Sequence, residues 1–499
     1  MRILIATSEM VPFSKTGGLA DVAGALTKAL GRRGHEVKAV VPFYDVTRKG
    51  DFDIRPTDWT FSVPISDREE YGELFETELD NNVKVFFIGK AAYYERDQLY
   101  GTSKGDYEDN AERFIFFSKA VLELCRVLEY PPDVIHCNDW QTGLVPIYLK
   151  TLLKNEPLFD RTATLFTIHN IGYQGLFWHL DLHLTNLPWE VFTPDCLEFF
   201  GKLNLLKAGI VGADALSTVS PSYAREIQMP EYGCGLDGIL SKRADRLFGV
   251  LNGVDYDEWN PETDSYIAAN YTSADPAGKA VCKADLLKQF GLPKLPDTPV
   301  LGVVSRLTVQ KGFDILTPVM DDILKEDVQF VLLGSGDESY QKVFTELARK
   351  YPDRVGVKID FSNELAHKIE AGADIFLMPS RYEPCGLNQM YSLKYGTVPL
   401  VRATGGLKDT IIDYPTSPDR SGNGFKFDEY TSAALVAKIR EARKLFDEKE
   451  QWNRIVQNGM ACDFSWDSCA EKYEELYRKA ASLRGGSGLL LGKSSGEEN

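Results

Sequence analysis

The feature that most constrains this chain is a rhythm laid down twice. Short β-rich runs alternate with longer stretches of helical pattern. In the first half the runs are Ile3–Ala6, Val37–Val41, Val83–Ile88, Val134–His136, Ala163–Ile168 and Ala215–Val219. The rhythm restarts at Phe248–Leu251, Val300–Val304, Phe330–Leu333, Val355–Ile359, Ile375–Met378 and Val398–Val401. Alternation of this kind gives parallel sheets covered by helices on both faces. Two series predict an α/β chain of two Rossmann-like domains, divided near 245–250, and 499 residues is too long for one ordinary core.

Charge narrows the partners. The formal net charge is −17, which repels nucleic acid and anionic membranes and makes a phosphorylated ligand depend on cations gathered locally. No apolar run approaches the ~20 residues of a membrane span. The chain opens directly on the strand-like Met1–Ala6, with no room for a leader, so a cytoplasmic location is expected. Eight cysteines show no CxxC spacing, so neither a zinc ribbon nor a redox motif is indicated and reduced thiols are expected. The tail Arg484–Asn499 is rich in Gly and Ser and reads as disordered. Within it Gly488–Ser494 falls one residue short of a P-loop, with no strand before it and no helix after it.

One internal echo links the halves. Thr16-Gly17-Gly18-Leu19-Ala20-Asp21 recurs as Thr404-Gly405-Gly406-Leu407-Lys408-Asp409, each copy ahead of a helical pattern. The echo suggests two loops of like chemistry, one per half, facing each other across a cleft. In the first copy the paired glycines allow close approach of backbone N–H groups to an anion at a helix N-terminus, and Lys15 adds a full charge. An ordinary tight turn with a solvated lysine is the plain alternative.

A second cationic cluster, Arg306 to Lys311, follows the strand Val300–Val304, where open α/β sheets bind ligands. Arg306 offers a planar fork to phosphate oxygens and Lys311 a point charge, which together suit a diphosphate. Surface ion pairing is the alternative. After Ile375–Met378 comes Pro379-Ser380-Arg381-Tyr382-Glu383-Pro384-Cys385-Gly386-Leu387-Asn388. Glu383 just ahead of a helix can bind sugar hydroxyls beside the amides of Cys385 and Gly386, or merely complement the helix dipole. In the first half Asp139, His169 and Asn170 sit at strand ends as sugar-binding types, Trp140 can stack on a pyranose face, and Asn252 closes the strand at the domain junction.

Together these pieces resemble the bacterial glycogen synthase and plant starch synthase family. The matching motifs are KTGGLADV at 15–22, HCNDW at 136–140, TIHN at 167–170, NGVD at 252–255, SRLTVQKG at 305–312, PSRYEPCGLNQ at 379–389 and TGGLKDT at 404–410. Their order runs from residue 3 to about 480. The resemblance implies a GT-B architecture: an N-terminal Rossmann-like domain at 1–248, a C-terminal one at 249–463, a deep cleft between them, and a helix at 464–483 crossing back to the N-terminal domain. It implies retaining transfer of glucose from ADP-glucose to the non-reducing end of an α-1,4-glucan, in glycogen biosynthesis, without metal or cofactor. Many retaining GT-B relatives carry a second Glu eight positions after the first; here that position is Tyr391.

The implied site is electrostatic. Arg306 and Lys311, joined by Lys15 with Gly17, Gly18 and Asp21 in the KTGGL loop, stabilise the leaving diphosphate. Asp139 and His169 position the glucose, with Trp140, Asn170 and Asn252 as helpers. Glu383 holds a ring hydroxyl beside the Cys385 and Gly386 amides, flanked by Leu387, Asn388, Thr404 and Gly405, and Phe361 stacks on adenine. Four other readings compete. A phosphorylase needs a pyridoxal lysine that no local context marks, and a glycosidase needs two carboxylates flanking one bond. A glucan-binding protein needs no phosphate-site cations. A metal-dependent GT-A transferase has only Asp51-Phe52-Asp53 to offer.

Overall fold

The computed structural model describes residues 1–79, 83–102, 104–295 and 297–484. All of the tail read as disordered except Arg484, including the near-P-loop, lies outside these residues. The chain divides into two compact units. Of the described residues, the first takes in those of 1–219, 224–253 and 466–484; the second takes in those of 220–223 and 254–465.

The first unit is built on a nine-stranded sheet. Its strands are β1 (Arg2–Ala6), β2 (Glu36–Pro42), β3 (Arg55–Ile65), β4 (Arg68–Leu79), β5 (Val83–Gly89), β6 (Val134–Asn138), β7 (Ala163–Ile168), β8 (Ala215–Thr218) and β9 (Leu247–Gly249). Their order is β9-β8-β7-β6-β1-β2-β5-β4-β3. The seven from β9 to β5 are parallel, and β4 and β3 extend the edge as an antiparallel hairpin. That hairpin is a departure from the all-parallel expectation. Its outer strand alternates, with Phe61, Val63 and Ile65 buried and their neighbours exposed, the pattern of a sheet with one wet face. A second departure concerns β9, read above as the start of the second series. It pairs with β8, so the first unit runs to Gly253 rather than 248.

Helix α1 (Gly18–Arg32) follows the loop after β1 and buries Val22, Ala23, Leu26 and Leu30 in one cluster with Ile3, Ile5, Val37 and Val85. The last described helix, Trp466–Leu483, belongs to this unit too. Its Cys469, Tyr473, Leu476, Tyr477 and Ala480 repeat at helical spacing and enter the same cluster. Each large apolar side chain so buried contributes about 1.5–3 kcal/mol. The Tyr477 hydroxyl meets His136 Nδ1 at 3.0 Å. At the rim, Arg33 at 2.6 Å and His35 at 3.0 Å grip Glu474, and Arg33 above all pulls that carboxyl down to about 2.

The second unit holds a wholly parallel six-stranded sheet: β10 (Val300–Val304), β11 (Gln329–Leu333), β12 (Val355–Lys358), β13 (Ile375–Met378), β14 (Val398–Arg402) and β15 (Phe425–Phe427). Their order is β12-β11-β10-β13-β14-β15. Among its helices are α2 (Asn363–Gly372), α3 (Asn388–Lys394) and α4 (Gly405–Thr410); the terminal helix Trp466–Leu483 is α5. Among the parallel strands of each sheet the order reverses between β1 and β6 in the first and between β10 and β13 in the second. Ligands of open α/β sheets bind beyond the carboxyl ends at such reversals. No helix among the described residues is long and apolar enough to cross a membrane.

Candidate active site

In the first unit the loops beyond β1 and β6 flank the reversal. The loop after β1 is held by a residue that sequence reasoning missed. Glu9, buried, accepts the Thr16 amide, the Thr16 hydroxyl at 2.9 Å and the Gly17 amide at 3.2 Å, and the Tyr100 hydroxyl reaches it at 3.1 Å. Burial pushes its carboxyl up, opposed by the Thr16 bonds. The expectation that this turn offers its amides to an outside anion is therefore corrected: those of Thr16 and Gly17 serve Glu9. Lys15 to Gly18 are exposed. Lys15 Nζ pairs with Asp21 Oδ1 at 2.7 Å on the first turn of α1.

Beyond β6, Asp139 sits at φ +53 with its side chain buried. Its Oδ1 accepts the His169 amide at 2.8 Å, so the ends of β6 and β7 are tied together. Burial raises the Asp139 carboxyl to about 7 and lowers the His169 imidazole to about 3. The ring of His169 is therefore neutral. Its Nε2 lies 2.9 Å from Asn138 Oδ1, and Asn138 Nδ2 donates to the Ala6 carbonyl at 3.0 Å. That assigns the proton to Nε2 and leaves Nδ1 an acceptor. Asn138, also missed, links β1 to the histidine. Asn170 Oδ1 accepts the Gly172 amide at 2.9 Å. Asn252 is buried, and its Oδ1 has no partner among the described residues.

Trp140 is corrected. Its ring is buried against Phe114 and Phe177, with Gly175 over one face. It is a core residue that fixes the Asp139 loop, not an open platform. Asp53, from the D-x-D triplet, is ion-paired with Arg55.

In the second unit the loops after β10 and β13 interlock across the reversal. Gly312 has φ +82, and a Cβ there would lie 2.0 Å from the Pro379 carbonyl oxygen. The Arg381 amide donates to the Gln310 carbonyl at 2.8 Å. Lys311 Nζ meets Glu383 Oε2 at 2.7 Å, and the Ser380 hydroxyl reaches the same oxygen at 3.0 Å. Glu383 is 6 % exposed, so its charge is matched inside the protein. Arg306 differs: it is exposed, its carbonyl accepts the Ser305 hydroxyl at 3.1 Å, and its guanidinium makes no hydrogen bond or ion pair among the described residues.

Behind Glu383 the turn is shaped by neighbours. Cys385 is buried and Gly386 has φ +72. Gln389 Nε2 donates to the Cys385 and Gly386 carbonyls at 3.1 and 2.9 Å. Leu387 caps α3, and Asn388 Nδ2 bonds the Val304 carbonyl at 3.1 Å. Thr404 and Gly405 are buried, and the Gly406 amide donates to the Glu383 carbonyl at 3.2 Å. Phe361 stands beyond β12, 85 % exposed, at the same carboxyl end as Arg306 and two strands away. Tyr391 lies flat on Trp259 at 3.9 Å, with His367 on the other face at 3.8 Å, so this position serves packing.

Comparison with known proteins gives the family. Residues 2–242 match the starch synthase catalytic domain family and residues 287–460 the glycosyl transferases group 1 family. The chain is 49% identical over 484 residues to a glycogen synthase of Koribacter versatilis, covering 97% of this chain and 99% of that one. A glycogen synthase of Geotalea daltonii is 48% identical over 485 residues, covering 97% and 100%. Among solved structures, the catalytic domain of starch synthase IV from Arabidopsis thaliana, bound to ADP and acarbose, superposes with a TM-score of 0.89 at 34% identity, covering 96% of this chain and 99% of that one. That likeness extends to two-domain GT-B architecture. With both sheets reversing at the loops that carry the motifs, the chain belongs to the glycogen and starch synthase family of glycosyltransferases.

Proposed function

We propose that this enzyme transfers glucose from ADP-glucose to the non-reducing end of an α-1,4-glucan with retention of configuration. The observation that carries the reading is the second unit's reversal point, where an unengaged Arg306 guanidinium shares a loop with the Lys311–Glu383 pair. The relatives named glycogen synthase, and the starch synthase IV complex with ADP and acarbose, support the choice of donor and acceptor.

Breaking the C1–O bond builds positive charge on the sugar ring and negative charge on the diphosphate. Arg306 gives its bidentate fork to the diphosphate, and Lys311 keeps further N–H donors beyond the one on Glu383. Lys15 exchanges Asp21 for phosphate oxygens. Glu383, already anchored through Oε2, accepts a ring hydroxyl, with the Cys385 and Gly386 amides beside it. Phe361 covers the adenine. Asp139 and the acceptor nitrogen of His169 take glucose hydroxyls, aided by Asn170 and Asn252. A leaving-phosphate oxygen takes the acceptor proton on the same face.

The test is a donor screen on maltotriose with chelator present. ADP-glucose supports turnover, UDP- and GDP-glucose do so less well, and the extended product shows an α-anomeric proton signal. Equal turnover with UDP-glucose removes the adenine assignment. A β signal removes retention, and activity that returns only with manganese removes the all-protein charge stabilisation.

A further inference from the structure

The Lys311–Glu383 pair joins two turns of the second unit, and each turn is also held by a residue with no role in the site so far. Tyr430 follows β15. Its hydroxyl donates to Asp314 Oδ1 at 2.5 Å and lies 3.3 Å from the Val309 carbonyl oxygen. Val309 opens the turn that ends at Lys311, and Asp314 stands on the short helix Phe313–Leu316 that leaves it. Tyr430 therefore holds the Lys311 turn at both ends. Arg402 is the last residue of β14. One terminal nitrogen of its guanidinium donates to the carbonyl of Arg381, just ahead of Glu383.

The two grips meet. The Arg402 guanidinium lies 5.2 Å from the centre of the Tyr430 ring, and that of Arg381 6.0 Å. The Arg381 amide donates to the Gln310 carbonyl at 2.8 Å, which closes a circuit from Gln310 through Arg381, Arg402 and Tyr430 back to Val309. Folding alone is a poor reason for an arginine at position 402. Among the described residues it has no carboxylate partner, and its Nε is buried with no hydrogen bond. An apolar side chain would avoid that desolvation. What an arginine adds is a planar fork that fixes a carbonyl while its face rests on a ring.

We propose that Tyr430 and Arg402 are positioning residues for glucosyl transfer: they hold the Lys311 turn and the Glu383 turn in one fixed relation, so that the cation reaches the leaving diphosphate while the carboxylate holds the sugar. The proposal rests on the functional reading above. Neither residue touches substrate. Each acts through backbone it fixes, Tyr430 through Val309 and Asp314, Arg402 through Arg381. The demand on that backbone is strict, because a displacement of about 1 Å in a reacting constellation costs on the order of a hundredfold in rate. The ion pair alone does not meet it, since the lysine stem is flexible and follows a turn that moves.

The test is steady-state kinetics on the full chain, at a temperature where thermal melts show every variant folded. In Tyr430→Phe and in Arg402→Ala, kcat falls about tenfold while KM for the donor stays within about twofold, the mark of an interaction realised only in the transition state. Arg402→Lys, which can still donate to the Arg381 carbonyl, recovers part of the loss. Tyr430→Phe added to Lys311→Ala lowers kcat by less than about twofold more, because the group it positions is already gone. Normal kcat in both single variants, with only Tm lowered, makes the two residues structural and overturns the proposal. So does a rise in KM with kcat kept, which would make Arg402 a donor contact, or a full tenfold loss from Tyr430→Phe in the Lys311→Ala background. Each variant is compared with the unmutated chain on whichever donor that chain uses, so a failed ADP-glucose reading shows in the unmutated chain and a failed brace only in the variants.

Discussion

The two TGGL segments share four letters and little else. Around Thr16–Leu19 the glycines lie open: Gly17 is extended at φ −156, and a Cβ on it would touch nothing within 4 Å. Around Thr404–Leu407 they are wedged. A Cβ on Gly405 would lie 1.9 Å from the Glu383 carbonyl oxygen, and one on Gly406 2.1 Å from that of Cys385. The first copy keeps a surface loop slim, with Glu9 holding it from beneath. The second lets a helix end press against the turn that aims Glu383. The expectation of two loops of like chemistry is thus replaced by a surface loop in one unit and a scaffold in the other. The lysines divide the same way, Lys15 paired in the open and Lys311 on a buried carboxylate.

The largest expected effect tests that division through charge. Arg306→Ala should lower kcat by about 10²–10³, or ~3–4 kcal/mol, with Tm unchanged because nothing in the protein leans on the guanidinium. Lys311→Ala should lower kcat comparably but also cost about 1–3 kcal/mol of stability, because Glu383 is left buried without its partner. Near-normal kcat in Arg306→Ala would move the diphosphate site elsewhere. An unchanged Tm in Lys311→Ala would mean the ion pair does not hold the turn.

Next comes the contrast between the glycines. Gly406→Ala should cost about 1–3 kcal/mol by overpacking against backbone that cannot yield, and kcat should fall with it as Glu383 shifts. Gly17→Ala should change stability by less than about 0.5 kcal/mol. Equal Tm shifts in thermal melts of the two variants would erase the distinction between open loop and scaffold.

The smallest effect concerns pH. Burial holds His136 and His169 at about 3, below the ~6.5 of an unfolded histidine. The unfolded chain then binds more protons below ~6.5, so this stability is present above that pH and is lost as pH falls toward 3. Asp139, raised to about 7, works the other way: its burial costs stability above ~7, and the cost is relieved on acidification toward ~3.9. Glu370, raised by burial to about 8, acts in the same sense as Asp139, so the histidines are read by difference: on going from pH 7.5 to 5, Tm should shift upward relative to the unmutated chain in His136→Gln. An identical slope in that variant would show that the imidazole does not control it.

Much of the fold was legible because parallel strands buried on both faces are plain apolar runs, and the motif loops follow those runs directly. What escaped was pairing at a distance. The hairpin of β3 and β4 is charged on its wet face, which hides it from a search for apolar runs. β9 reads like any strand until its partner β8 is known. In the site, Lys15, Arg306, Lys311 and Glu383 stood in recognisable loops, whereas Glu9, Asn138 and Ser380 act by hydrogen bonds no local pattern announces. The W in HCNDW suggested a sugar platform, because residue type cannot tell an exposed ring from one covered by Phe114 and Phe177.

The membership of α5 in the first unit has a consequence in time. The strands of that unit have all been synthesised by Gly249, but the helix that covers His136 and joins Ile3 and Ile5 in one core arrives only with Trp466–Leu483. At about 5–20 residues per second, the ribosome takes on the order of ten to forty seconds to bridge that gap. During it the second unit can finish folding while the first, begun earlier, still shows an apolar face. The unit made first is therefore the one completed last, and the one most in need of a chaperone while the chain is still attached.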